Sequence, residues 1–344
     1  MKKSLLALAV LGAFVGVASA QSSVTIFGIV DLSLKNVKND GSGARKSMAN
    51  DNLNSNRLGF RGVEDLGGGL KAGFHLEGGM SPDDGTAGGF NFRRKSTVGL
   101  MGGFGEIRLG RDYTPTFYNT SAFDPFGTNG LGTSFTTSRY YNVFAVPTAV
   151  RSNNAVSYFL PALGGVYGQV MVAPGEGGPG KYTGGRIGFA AGPVDVSASA
   201  GSTEMDAVGV LKAKVFNVAG SYKIGPAKIM AQFNDEKVET SPTVEAKETR
   251  ILIGANVTMG QGEIRGSYIK SDNKTAGATN NDASHISLGY IYNLSPRTAL
   301  YATFASISNK GLSNFSVAGG SSIAALPTAG GKSKGYEGGL RHIF

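Results

Sequence analysis

Apolar and polar residues alternate at period two along most of this chain, and connections that are short and long in strict turn break the alternation. Leu70, Ala72, Phe74 and Leu76 point one way while Lys71, Gly73, His75 and Glu77 point the other; Ile286, Leu288 and Tyr290 likewise oppose His285, Ser287, Gly289 and Ile291. Tight Gly/Pro breaks fall at 66–69, 102–105, 161–165, 192–193, 225–226, 260–262 and 295–297. Longer polar segments fall at 36–56, 81–91, 113–149, 173–184, 203–211, 238–247, 271–282 and 309–332. Seven turns and eight loops join sixteen strands, and helical faces with capping residues are hard to find.

A chain of this kind predicts an all-β fold, a 16-stranded antiparallel transmembrane β-barrel with tight turns on one rim and long external loops on the other. Lipid offers no water to an open sheet edge, so the last strand must close on the first. Val156, Tyr158 and Leu160 are expected to face lipid, and Arg151, Asn153, Ala155 and Ser157 the lumen. Phe27, Phe60, Tyr158, Tyr222, Tyr292, Tyr301 and Tyr336 near strand ends suit interfacial girdles in a chain without Trp. The 53 glycines, about twice the usual share of roughly 7%, serve turns and close backbone approach. A soluble β-sandwich would alternate in the same way, but it rarely alternates short and long connections so regularly.

Residues 1–20 read as an export leader: Lys2 and Lys3, an apolar run from Leu5 to Val17, then Ala18-Ser19-Ala20 as the cleavage pattern. The barrel domain then spans 21–344, and loss of the leader lowers the formal charge from +9 to +7. Without cysteine the chain has no disulfide framework, thiolate metal site or cysteine nucleophile. His75, His285 and His342 are scattered, no Gly-x-Ser-x-Gly elbow occurs, and Gly331-Lys332-Ser333 lacks the earlier glycine and the helix of a phosphate loop. These absences argue against an enzyme and imply no cofactor and no metal. The basic excess comes with no stacking motif or basic helix, so nucleic acid is not an expected partner. Lipopolysaccharide phosphates suit the loop lysines better.

The start Gln21-Ser-Ser-Val-Thr-Ile-Phe-Gly-Ile-Val-Asp31, the stretch Arg57-Leu-Gly-Phe-Arg-Gly-Val-Glu-Asp-Leu-Gly-Gly-Gly-Leu-Lys-Ala-Gly-Phe74, Gly105-Glu-Ile-Arg-Leu-Gly-Arg111 and the end Gly339-Leu-Arg-His-Ile-Phe344 together carry a resemblance. The chain resembles the trimeric general porins of β-proteobacteria from Gln21 to Phe344. The resemblance implies a homotrimer in the outer membrane of a Gram-negative bacterium. It also implies a water-filled channel for small hydrophilic solutes, with outer-membrane lipid around it. Phe344, preceded at period two by His342 and Leu340, looks like the signal read by the outer-membrane assembly machinery.

Function has to be argued from the lumen, because the barrel hosts channels, enzymes and adhesins alike. Sixteen strands leave an aqueous channel. By resemblance, the long connection 113–149 folds inward as a constriction loop, with Phe123-Asp124-Pro125-Phe126-Gly127 at its tip and Asp124 on the loop side of the eyelet. The facing wall is basic: Arg57 and Arg61 share lumen parity, with Lys71 and Arg108 on following strands and Arg151 beyond the loop. Strand parity turns Arg93 and Lys95 inward if Val98 and Leu100 face lipid; Arg94 joins them only if a bulge intervenes. Similarity to anion-selective members of the family points to Arg57, Arg94 and Arg151 as the constriction arginines. Glu77 and Glu106 are the acids placed to pair with this wall. The expected outcome is a passive channel favouring small anions. The alternatives are a channel specialised for one organic acid and a barrel adhesin.

Overall fold

The computed structural model describes residues 23–86, 91–277, 280–318 and 325–344. The export leader expected at 1–20 lies outside them. Among the described residues seventeen strands form one antiparallel sheet. β1 (Ser23–Asn39) pairs with β17 (Lys332–Ile343) on one side and with β3 (Arg57–Gly67) on the other, which closes the barrel. The wall continues through β4 (Leu70–Gly79), β5 (Lys95–Gly102), β6 (Gly105–Tyr113), β7 (Arg151–Phe159), β8 (Val166–Ala173) and β9 (Tyr182–Ala191). It returns through β10 (Val194–Glu204), β11 (Lys212–Ile224), β12 (Ala227–Ser241), β13 (Val244–Met259), β14 (Gly262–Asn273), β15 (Ala283–Asn293) and β16 (Thr298–Asn309). Sixteen strands make the wall. A short seventeenth, β2 (Arg45–Asn50), pairs only with the external half of β1, above β3.

The last residue completes the closure. The Gly28 amide donates to the Phe344 carbonyl at 2.9 Å and the Phe344 amide donates back at 3.0 Å. The Phe344 ring lies so close over Gly28 that a Cβ there would sit 2.2 Å from it. Gly28→Val is therefore expected to displace the terminal ring and sharply lower the refolding yield, read as loss of the heat-modifiable folded band on a gel. An unchanged yield would remove this contact from barrel closure.

All seven tight turns fall where the Gly/Pro breaks put them. Two long segments need correction. Residues 238–247 are not a loop: β12 and β13 run on as a hairpin to Ser241 and Val244, because Val238 is buried and Glu236, Glu248 and Arg250 hold the strands together inside the barrel mouth. Residues 36–56 likewise contain the end of β1 and the whole of β2.

The two faces follow the alternation. Val156 is 44% exposed while Ala155 and Ser157 are buried; Ile286, Leu288 and Tyr290 are exposed while His285, Ser287 and Ile291 are buried. In a barrel the exposed apolar face meets lipid and the buried face lies inside, beneath inward-folded loops. Ile291 is apolar yet inward because Leu53, Ala299 and Tyr301 pack with it. Of the aromatics expected in girdles, Tyr158, Tyr222, Tyr292 and Tyr336 do point outward. Phe27 and Tyr301 do not: Phe27 meets Arg61 and His75 on the lumen side, and the Tyr301 hydroxyl donates to buried Asp31.

Candidate pore constriction

Two segments fold into the barrel. The first, residues 51–56, leaves the wall between β2 and β3. The carboxylate of Asp31 on β1 holds it by accepting from the Leu53 amide at 2.7 Å and the Asn54 amide at 2.6 Å. The second is the long connection between β6 and β7. It opens with helix α1 (Pro115–Ala122), capped by the Thr114 hydroxyl with Pro115 in the first turn, as the start of a helix favours. It closes with a helical turn, α2 (Arg139–Asn142).

Between these ends the loop is tied to inward side chains around the wall. The Gln232 amide donates to the Thr120 carbonyl at 2.9 Å, the Ser138 hydroxyl to Glu236 at 2.7 Å, and the Leu131 amide to Glu337 at 3.2 Å; Ser271 donates to Thr137 at 2.8 Å. The Phe126 ring fills the space above Gly289, and Pro125 that above Gly254. The two inward segments also meet, as Ser55 donates to Asn129 at 2.7 Å and the Gly130 amide to the Asp51 carbonyl at 3.3 Å.

The wall that α1 leaves uncovered carries the predicted arginines, and the fold gathers them. Arg94 donates through Nε to Glu77 Oε1 at 2.6 Å, and Arg57 Nη1 lies 3.4 Å from the same oxygen. Arg94 Nη2 and Arg151 Nη2 both donate to the Tyr113 hydroxyl, at 3.1 and 2.9 Å, and the Arg151 guanidinium lies over that ring at 4.4 Å. β5 begins at Lys95, so strand parity does not govern Arg94 and no bulge is needed to turn it inward. Lower down, Lys95 reaches Asp112 at 3.1 Å, and Arg108 reaches Glu106 at 2.8 Å and Asp112 at 2.6 Å. Four of these cations thus share three carboxylates. Arg151, Arg61 and Lys71 have no carboxylate partner among the described residues.

Some expected placements differ. Asp124 does not face the arginines. It is buried inside its own loop, accepting from the amides of Phe126 at 2.8 Å, Ser134 at 2.9 Å and Thr128 at 3.3 Å, and it forms no ion pair among the described residues. Its short side chain caps the loop's reversal, as Asp does in turns. Burial pushes its carboxyl above the usual carboxylate range despite these donors. Arg93 lies beside Arg94 over Gly79 and lines a cavity toward the external side with Asp51 and Asp83.

Sequence reading missed two groups. Tyr113 joins Arg94 to Arg151, although nothing in a period-two pattern sets one strand-end tyrosine apart from another. Arg186 on β9 lies between the rings of Tyr118 and Tyr167, at 5.0 and 5.3 Å, and has no carboxylate ion pair among the described residues. Its lumen parity, opposite exposed Ile187 and Phe189, was readable, but nothing in the local sequence showed that α1 would reach across to it.

Comparison with known proteins agrees with this architecture. A family model described as Gram-negative porin matches residues 7–312. The chain is 39% identical to outer membrane porin protein 32 of Delftia acidovorans, over 100% of both chains. It is 28% identical to an outer membrane porin protein of Bordetella pertussis, over 88% of this chain and 93% of that one. Among solved structures, an anion-selective porin from Comamonas acidovorans superposes with a TM-score of 0.86 at 36% identity, covering 94% of this chain and 100% of that one. The trimer form of an outer membrane protein of Vibrio cholerae shares the fold at a TM-score of 0.72 and 16% identity, covering 94% and 99%. A sixteen-stranded wall closed through its own termini and a match along nearly the whole length place the chain in one family: it belongs to the Gram-negative porins, the channel proteins of the outer membrane.

Proposed function

We propose that this porin is a passive diffusion channel for small hydrophilic solutes with a preference for anions, that its filter is the cluster of Arg57, Arg94 and Arg151, and that it works as a homotrimer. The observation that carries this reading is the excess of fixed positive charge on one wall, where Glu77 neutralises at most one of three adjacent guanidinium groups. Guanidinium groups stay charged at any relevant pH. In a narrow mouth with low-dielectric walls their field concentrates anions and opposes cations. Asp124 is not the opposing charge of the eyelet in this reading; the loop narrows the lumen by its bulk and offers Tyr118 to Arg186. The Comamonas structure of like sequence, described as anion-selective, supports the same preference.

The trimer is supported by the family resemblance and by the trimer form of the Vibrio protein of this fold. Residues 1–20 serve as the export leader in this reading, 21–344 as the barrel, and Phe344 as the signal to the assembly machinery. No energy source or cofactor is invoked. The test is the zero-current potential of the purified protein in a planar bilayer under a salt gradient. Conductance steps in triplets with a potential of anion sign are expected. A cation-sign potential would overturn the filter, and a closed lumen would turn the reading toward an adhesin.

A further inference from the structure

We propose that the organic solutes this channel favours are aromatic carboxylates, whose ring follows a column of stacked side chains down the inward loop while the carboxylate is drawn to Arg94 and Arg151. The proposal rests on the anion-preferring filter proposed above and names the solute class for it.

The column runs through four elements of the chain. The Tyr141 ring on α2 stacks on Phe135, which precedes that turn, with centroids 3.8 Å apart; Phe135 lies 5.6 Å from Phe117 on α1, and Phe117 stacks on Tyr113 at the end of β6 at 4.7 Å. Rings at such separations attract one another through their faces and edges. The column ends where the filter begins, because the Arg151 guanidinium lies over Tyr113 at 4.4 Å and the Tyr113 hydroxyl accepts from both Arg94 and Arg151. Of the four rings only Phe117 is buried; Tyr113, Phe135 and Tyr141 keep part of their surface open. Contiguous apolar surface left open to water marks a binding groove.

The upper end of the column opens outward. Phe135 lines the external cavity of about 490 Å³ whose charged walls are Lys35, Arg93, Asp51 and Asp83. Two cations and two carboxylates balance there, so the feature this cavity offers a solute is its ring. At the lower end the charge is unbalanced, since Arg151 has no carboxylate partner among the described residues. A guanidinium lying flat on a ring keeps its edge for a second partner, and a carboxylate takes in-plane donors from that edge. An aromatic carboxylate meets both surfaces at once, with its charge on Arg94 and Arg151 and its ring beside Tyr113. Chloride meets only the charge. A saturated-ring carboxylate has the same charge and nearly the same size, but it lacks the flat face that stacks.

The experiment measures block of the wild-type chloride current in a planar bilayer by benzoate and by cyclohexanecarboxylate, together with the zero-current potential of chloride against benzoate. Benzoate is expected to permeate, and to block half the current at a concentration about threefold or more below that of cyclohexanecarboxylate, the scale of one aromatic contact. Phe135→Leu, which removes one ring of the column and keeps an apolar side chain, is expected to abolish that difference. Tyr222→Leu, on the lipid face, should leave it unchanged. If Phe135→Leu does not conduct, the wild-type comparison of the two acids decides alone. Equal block by the two acids in a channel of anion sign overturns this proposal and leaves the filter standing, whereas a cation-sign potential in potassium chloride overturns both. Block by benzoate without permeation, or a difference that survives in Phe135→Leu, also overturns it.

Discussion

Joint replacement of Arg94 and Arg151 by alanine is expected to lower the anion-over-cation permeability ratio by about twenty-fivefold, measured as a fall in zero-current potential, with the barrel still folded. A unit charge about 4 Å from a passing ion is worth about 1 kcal/mol in a water-like dielectric. That is roughly fivefold for each charge, since about 1.36 kcal/mol is tenfold. The barrel should tolerate the change because neither arginine is the last partner of a buried acid. Glu77 keeps Arg57 and His75, each at 3.4 Å, and Tyr113 keeps its stacking on Phe117. Each single variant should give a smaller loss of the same sign. Added salt should weaken the wild-type preference, since screening shortens to about 3 Å at 1 M. An unchanged potential in the double variant would remove both residues from the filter.

The second large effect is expected at the far end of the inward loop. Arg139 binds Glu248 at 2.6 Å and reaches the Asn281 carbonyl at 2.8 Å and the Ser313 hydroxyl at 2.7 Å, so one guanidinium ties the inward loop to β13 and two external loops. Beneath it Arg250, 1% exposed, pairs with Glu236 at 2.9 Å and lies 3.9 Å from Glu248. Removing one member of a buried charge network strands the others, typically at about 3–5 kcal/mol. Arg139→Ala would leave two buried glutamates sharing Arg250. The barrel has its own hydrogen-bonded wall, so the cost should appear in the loop: faster amide exchange over residues 134–150 and noisier single-channel currents. Arg139→Lys, which keeps the charge but loses the fork, should recover part of the protection. Lys181→Ala, which breaks an exposed pair with Glu204, should change neither reading. Wild-type exchange in Arg139→Ala would show that the loop is held by its other contacts alone.

The basic wall was more legible in the sequence than the loop that crosses the lumen. Arg57, Arg61, Lys71 and Arg108 lie on strands whose lipid-facing neighbours are plainly apolar, so period two was enough to turn them inward. Arg94 lies one residue before its strand, and there parity has nothing to say. Asp124 illustrates the opposite limit. A carboxylate near the tip of a loop reads as a charge offered to the lumen, yet three backbone amides of that loop claim it. Such turns form from contacts a few residues apart but leave no periodic trace. Phe27 and Tyr301 failed as girdle residues for a related reason: an aromatic near a strand end suits an interface or a lumen cluster equally well, and the lumen partners of these two, Arg61 and His75 for one and Asp31 and Leu53 for the other, lie on other segments of the chain.

The amino-acid sequence by itself determined the strand number, the closed wall, the two faces and the basic character of the lumen, because alternation and turn composition are local properties imposed by a membrane outside and water within. Only the tertiary structure decided which charges meet. The joining of Arg94 and Arg151 through Tyr113, the clasp of Arg186 between two tyrosines and the anchoring of Arg139 on Glu248 all depend on where an irregular loop crosses the lumen. That path is set by packing and hydrogen bonds between residues far apart in the chain, and no repeat in the sequence encodes it.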